Sequence, residues 1–273
     1  MLHKFIIPAF TIISLFFTGC DDVNYFSAGD FQPPTAPRGL QVTNGDNRAE
    51  ISWIKNREGD LSGYNVYFSY EYDGEYELIG TTKSTYYIDF DARNGEKYFY
   101  AVTAFDYNGN ESELSYELVY SAPRPEGFNL AIFDYRKFPN NSGYYFGGYK
   151  VRPYDDINTD FFFENYNGTF YLNVWDDSDI MDLGNTSSIY DIDFAPSDGW
   201  SQTKDAVAKV GHTYAIWTWD NHFAKIRIKT ITSDRIVFDW AYQLIPGEKA
   251  LKVASIQKRE EMKRTWLREN KAN

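Results

Sequence analysis

Tyr98-Phe99-Tyr100-Ala101-Val102-Thr103-Ala104 is the stretch on which the fold turns. It follows the turn signal Asn94-Gly95 and is rich in aromatic and β-branched residues. Such residues suit a pleated, half-buried surface, and the positions Tyr98, Tyr100, Val102 and Ala104 repeat every second residue, which is strand periodicity. Working outward, the same pattern recurs. Leu40 and Val42 alternate, and so do Ile51 and Trp53 after the Asn44-Gly45-Asp46-Asn47 turn. Tyr64-Asn65-Val66-Tyr67-Phe68 follows Gly63, Tyr76 to Ile79 follows Asp73-Gly74, and Tyr86 to Phe90 comes next. Short strands at this spacing, separated by turns, predict a small antiparallel sandwich.

The details of residues 33–121 resemble a fibronectin type III domain. The resemblance rests on Pro34, Pro37, Leu40 and Val42 at the start and on Trp53 closing the second strand. It continues in Asp60-Leu61-Ser62-Gly63-Tyr64-Asn65-Val66-Tyr67 and in the Tyr98 strand. It implies a buried Trp53 and a corner tyrosine, Tyr98, whose hydroxyl bonds backbone upstream. The chain has no Arg-Gly-Asp triplet. A module of this kind is expected to space or orient a neighbour rather than carry the activity.

The N-terminus predicts an address. His3 and Lys4 precede an apolar run from Phe5 to Phe17, interrupted by Thr11 and Ser14, that is too short to span a bilayer. Leu15-Phe16-Phe17-Thr18-Gly19-Cys20 is similar to a bacterial lipoprotein signal, which implies removal of residues 1–19 and lipidation of Cys20. A lipid-anchored protein of the cell outer membrane is expected, with Asp21 and Asp22 leaving the final membrane and leaflet open. Residues 20–32 read as a flexible tether that Pro33-Pro34-Thr35-Ala36-Pro37 stiffens. Cys20 is the only cysteine, so no disulfide staples the fold. The formal charge of −12 argues against a nucleic-acid partner, which selects a basic face.

Residues 122–127, with Pro123 and Pro125, read as an extended linker. Residues 128–251 predict a second antiparallel β domain, so the class is all-β: a fibronectin type III sandwich, a second β domain and a short C-terminal helix over the basic segment 252–273. The clearest part of the second domain is a hairpin. Thr213 to Trp219 and His222 to Lys229 alternate on either side of a two-residue loop, Asp220-Asn221. That register sets Trp219 opposite His222 and Trp217 opposite Ala224. One face then holds Ala215, Trp217, Trp219, His222, Ala224, Ile226 and Ile228. The wetter face holds Tyr214, Ile216, Phe223, Lys225 and Arg227. A third strand places Ile236, Phe238, Trp240 and Tyr242 on one face.

Tyr190-Asp191-Ile192-Asp193-Phe194 is similar to an element of the HmuY family of haem-binding lipoproteins. Gly211-x-Thr213-Tyr214, Thr218-x-Asp220, Ala224-Lys225 and Val237-Phe238-x-x-Ala241-Tyr242-Gln243 resemble its last strands. That family implies an all-β fold and possible haem capture, with His212 and His222 available.

No nucleophile elbow, zinc-protease helix or phosphate-cradling glycine loop appears, so no enzyme activity is expected. Carboxylates fall in two groups, Asp155, Asp156, Asp160 and Glu164, then Asp176, Asp177, Asp179 and Asp182. Together they keep a glycosidase open on residue types alone. Asp176, Asp177 and Asp179 are a candidate calcium site, against solvated loop charge. Trp217, Trp219 and His222, with Tyr144 and Tyr145, are the candidate ligand-binding residues, against filling of the core. The expected function is non-catalytic binding of carbohydrate, a peptide or an envelope protein through the aromatic domain. Haem capture and an accessory role to a carbohydrate-active enzyme are the alternatives.

Overall fold

A computed structural model of the chain describes residues 30–252 and the pair 257–258. Residues 1–29, with Cys20, the expected signal peptide and most of the tether, lie outside the described residues, as does most of the expected C-terminal helix. The pair Gln257–Lys258 is strand rather than helix, because it hydrogen-bonds along an open sheet edge. Among the described residues no helix is long and apolar enough to cross a membrane.

The first sandwich is built from β1 (Arg38–Gly45), β2 (Arg48–Ile54), β3 (Leu61–Ser69), β4 (Glu77–Thr82), β5 (Tyr86–Asp89), β6 (Tyr98–Asp106) and β7 (Glu117–Ser121). One sheet has the order β1-β2-β5 and the other β7-β6-β3-β4, with Gln257–Lys258 added beside β7. The two-residue alternation of β6 places Tyr98, Tyr100, Val102 and Ala104 against Leu40, Val42, Ile51, Trp53 and Val66 between the sheets. Burial of side chains of this size is worth about 1.5–3 kcal/mol each. Trp53 is buried edge-on to Tyr64, with ring centroids 5.2 Å apart. The Tyr98 hydroxyl accepts from the Arg93 N–H five residues upstream at 3.0 Å and donates to Glu96 at 2.7 Å.

The second sandwich contains β8 (Glu126–Phe133), β9 (Gly143–Tyr145), β10 (Lys150–Arg152), β11 (Phe161–Tyr166), β12 (Thr169–Asn173), β13 (Asp179–Asn185), β14 (Asp205–Val207), β15 (His212–Trp217), β16 (Phe223–Ile231) and β17 (Arg235–Tyr242). The orders are β10-β9-β11-β12-β14 and β13-β15-β16-β17-β8, with antiparallel pairing throughout these sheets. Its core is aromatic: Tyr144, Phe146, Phe161, Phe238, Trp240 and Tyr242 lie between the sheets.

The hairpin register differs by one residue from the expected one. Trp217 pairs with Phe223 and Ile216 with Ala224. The loop is Thr218 to His222, not two residues. The Thr218 N–H donates to the His222 carbonyl at 2.9 Å, the Thr218 hydroxyl to Asp220 at 2.6 Å, and Asn221 is left-handed at φ 66°. A one-residue slip exchanges the faces of one strand relative to its partner. Tyr214 and Ile216 therefore join Ala224, Ile226 and Ile228 in the core, while Trp217 shares the other face with Phe223 and Lys225.

That other face is also drier than expected. Ile192, Ala195, Trp200 and Leu251 fold over Trp217 and Phe223. Lys225 is fully buried and donates to the Ile192 carbonyl at 2.7 Å. Burial pushes its ammonium well below the usual lysine range, and the nearby positive charges of Arg124 and Lys252 act in the same direction.

The linker residues are not solvated. Ser121 to Pro125 are buried, and β8 begins at Glu126. The two prolines keep this stretch extended, but backbone groups from both sandwiches grip it. The Arg124 N–H donates to Gly45, the Pro123 carbonyl accepts from Gly95, and the Pro125 carbonyl accepts from Tyr242. The Gln243 amide bridges the carbonyls of Ala122 and Ala250 at 3.2 and 3.0 Å. Lys97 and Tyr120 of the first sandwich both reach Glu248, at 2.7 and 3.1 Å.

Candidate functional site: an acidic aromatic groove

Three loops of the second sandwich converge at one end: residues 153–160 between β10 and β11, 174–178 between β12 and β13, and the hairpin loop Thr218 to His222. Each has a local reason for its shape. Asp156 accepts from the Asn158 N–H at 3.0 Å, which folds the first loop into an Asx turn. That bond also holds the Asp156 carboxyl below the usual range. The Thr159 hydroxyl closes the loop on the Pro153 carbonyl at 2.7 Å. In the second loop the Ser178 N–H donates to the Trp175 carbonyl at 3.0 Å. This tight turn pushes Trp175, Asp176 and Asp177 outward. In the third, Asn221 is held by Gly247 N–H and by the Trp217 indole, so that Trp219 projects at the tip.

Between these loops lies a groove of about 340 Å³, lined by Asp155, Asp156, Asp176, Asp177, Trp175 and Trp219. Trp175 is 42 % exposed and Trp219 is 53 % exposed. Ile157, at 92 % exposed, stands at the same opening. Trp175 is braced from behind by Phe162, ring centroid to centroid 5.5 Å. The groove thus offers two indole faces and several outward carboxylates, which is a surface for stacking a ring and accepting hydrogen bonds from its substituents.

Asp160 lies beneath the groove and is 2 % exposed. Its carboxylate accepts from the Phe146 N–H at 2.7 Å. Burial nevertheless raises its pKa to about 7, and the negative charges of Asp220 and Asp177 add to the rise. Its pKa in the folded state exceeds that of an unfolded aspartate, so the native state binds the extra proton. Stability contributed by the protonated form is then full below about pH 4 and is lost progressively as pH climbs to about 7. Asp160→Asn is expected to remove this slope and to stabilise the protein by up to a few kcal/mol above pH 7, where the wild type holds a buried charge. Urea melts at pH 5 and pH 8 check this: an unchanged difference between the two pH values rejects it. So deep a carboxyl does not reach a substrate in the groove.

The residues singled out from the sequence divide. Trp219, Asp176 and Asp177 come together in the groove, where Asp155 and Asp156 join them from the other carboxylate group. Asp179 does not join: it pairs with Lys204 at 2.8 Å. Glu164 pairs with Arg136, and Asp182 with His212. Trp217 stacks on Phe223 at 5.4 Å and faces away from the groove. Tyr144 is fully buried against Phe146, Phe161, Phe238 and Trp240, so it fills the core and is not open to a ligand. Tyr145, half-buried on the edge hairpin, covers Gly147 and Gly148, where a Cβ would collide with its ring. His222 is engaged by its surroundings: Nε2 lies 3.1 Å from the Leu244 carbonyl, and Nδ1 lies 3.1 Å from Asp220. His212 and His222 sit at opposite ends of β15, so no single ligand at either end meets both. Trp175 was not among the sequence candidates. The signal that marks it is a bulky aromatic directly followed by two aspartates in a loop, a poor arrangement for core filling.

No family model matches the chain. Among curated proteins it is similar to an amylopullulanase of Thermoanaerobacterium thermosulfurigenes, 36% identical over 100 residues, covering 36% of this chain and 5% of that enzyme. It is also similar to the amylopullulanase of Thermoanaerobacterium saccharolyticum, 35% identical over 100 residues and 8% of the enzyme. The chain therefore spans less than a tenth of the length of these relatives. Among solved structures it is similar to a Fn3-like protein from Clostridium thermocellum, 30% identical, with a TM-score of 0.28, covering 33% of this chain and 91% of that one. A β-1,2-glucanase from Parabacteroides distasonis is 30% identical over 34% of this chain and 14% of its own, with a TM-score of 0.30. The sheet orders β1-β2-β5 and β4-β3-β6-β7, around a buried Trp53 and the Tyr98 corner, make the first sandwich fibronectin type III-like.

Proposed function

We propose that this chain is a non-catalytic, lipid-anchored protein of the cell envelope that binds carbohydrate in the groove between Trp175 and Trp219. The first sandwich carries that groove away from the membrane. The observation behind the reading is the pairing of two exposed indoles with three exposed aspartates, Asp155, Asp176 and Asp177, in one concavity. The apolar face of a pyranose stacks on an indole, and its hydroxyls donate to carboxylates in charge-assisted hydrogen bonds. The likeness to amylopullulanases, over about the length of one sandwich, supports an association with polysaccharide-acting proteins. The anchor rests on Leu15 to Cys20, and the outer membrane is its proposed site.

The test is titration with maltotriose, pullulan and β-glucans, read by intrinsic tryptophan fluorescence. At least one is expected to quench and blue-shift the emission. Trp219→Ala is expected to weaken that ligand about tenfold, the loss of roughly one stacking contact. Silence across the panel, or binding unaffected by Trp219→Ala, removes the reading.

A further inference from the structure

We infer that the groove selects glycans by charge: it takes sugars carrying a free amino group in preference to neutral ones and rejects uronic-acid polymers. The inference rests on the reading of this groove as a sugar site and adds the substrate class.

The argument is the imbalance of charge inside the concavity. Asp155, Asp156, Asp176 and Asp177 line it, and among the described residues no lysine or arginine does. Of the four, Asp156 has a cationic neighbour, Arg152, at 3.4 Å. The nearby Lys204 is spent elsewhere, on Asp179 at 2.8 Å and the Ser178 carbonyl at 2.9 Å. A site that recognised neutral hydroxyls alone has no use for so much uncompensated negative charge, since like charges close together repel. A protonated sugar amine relieves that repulsion with a charge-assisted hydrogen bond, and the indole faces of Trp175 and Trp219 add attraction for a cation above them. A carboxylated sugar in the same place adds one more negative charge to the cluster, so discrimination comes from repulsion as well as attraction.

The experiment compares three short probes on the intact chain by calorimetric titration near pH 6: a glucosamine trimer, its N-acetylated counterpart and a galacturonic acid trimer, with maltotriose alongside. The glucosamine trimer is expected to bind at least tenfold more tightly than the N-acetylated one, with no detectable binding of the uronate. Asp176→Asn with Asp177→Asn is expected to close most of that gap by weakening the glucosamine trimer far more than the N-acetylated one, because the amide oxygen still accepts a hydrogen bond but carries no charge. Asp73→Asn with Asp198→Asn, at exposed positions outside the groove lining, changes the net charge equally and is expected to keep the gap. A gap that the distant pair abolishes as well reflects bulk charge and overturns the inference. Equal affinity for the two glucosamine probes, or binding of the uronate, overturns it while the sugar site stands. Silence toward every probe, maltotriose included, overturns both.

Discussion

Arg124→Ala is expected to cost about 3–5 kcal/mol of stability, the range for breaking a buried ion pair by removing one partner. Arg124 is fully buried between the two sandwiches. Its Nε donates to the Leu251 carbonyl at 2.6 Å, and its Nη1 to Glu126 at 3.0 Å. The other oxygen of Glu126 accepts from the Tyr190 hydroxyl at 2.7 Å. Alanine leaves a carboxylate with a 5% exposed side chain and a buried carbonyl without their cationic partner. With about 2–4 °C of melting temperature per kcal/mol for a body of this size, the midpoint should fall by roughly 10 °C. Arg124→Met combined with Glu126→Gln removes both charges and should recover part of the loss, since two well-packed neutral groups replace an ion pair at small net cost. A single variant that melts with the wild type, or a double variant no better than the single, contradicts the account. The consequence for function is orientation: Arg124, Gln243 and Glu248 tie the second sandwich, which bears the groove, to the first.

Phe146→Ala is expected to cost a similar amount, about 3–5 kcal/mol, the range for truncating a buried phenylalanine. The ring is fully buried, stacked on Tyr242 at 5.4 Å and 12° and on Phe161 at 5.6 Å, with Trp240 at 5.9 Å. No neighbour is free to collapse into the space it leaves, because each is held in its own strand. Its backbone N–H also supports Asp160, so the variant loosens the floor of the groove together with the core. Tyr145→Ala, one residue away on the half-buried side, is expected to cost about 1 kcal/mol, the ordinary value for a point substitution. Guanidinium melts of the two variants check the contrast. Equal losses would mean that β9 is not inserted as described.

The Gly143 to Tyr149 segment shows how an ambiguous sequence is resolved. Read alone, its glycines and aromatics suit either a mobile loop over a ligand or a buried edge strand. In the fold it is an edge hairpin: Gly143 and Tyr144 pair with β11, and Tyr144 and Phe146 enter the core. The glycines are there for proximity, since a Cβ on Gly143 would stand 2.5 Å from Thr159. The hairpin of β15 and β16 shows the converse. Its two strands and their alternation are plain in the residues, yet their register was not. Asp220-Asn221 is a good two-residue turn on local grounds. Hydrogen bonds from Thr218, together with Gly247 reaching in from a distant loop, select a wider one.

Strand identity in this protein is written locally. Burial on one side of a sheet imposes a two-residue period, so Leu40, Val42, Ile51, Trp53 and the Tyr98 strand, and later Ile236 to Tyr242, announce the sandwiches without reference to anything far away. The groove is of another kind. Asp155 and Asp156, Trp175 to Asp177, and Trp219 stand about 20 and 40 residues apart along the chain, and no periodicity links them. They meet because β11 pairs with β12 and β13 with β15, which brings three loop ends to one edge of the sandwich. The same long-range pairing set Trp217 under a cover and left Trp219 in the open. Periodicity alone announces an aromatic β protein, whereas the pairing of distant strands decides which of its aromatic rings face a ligand.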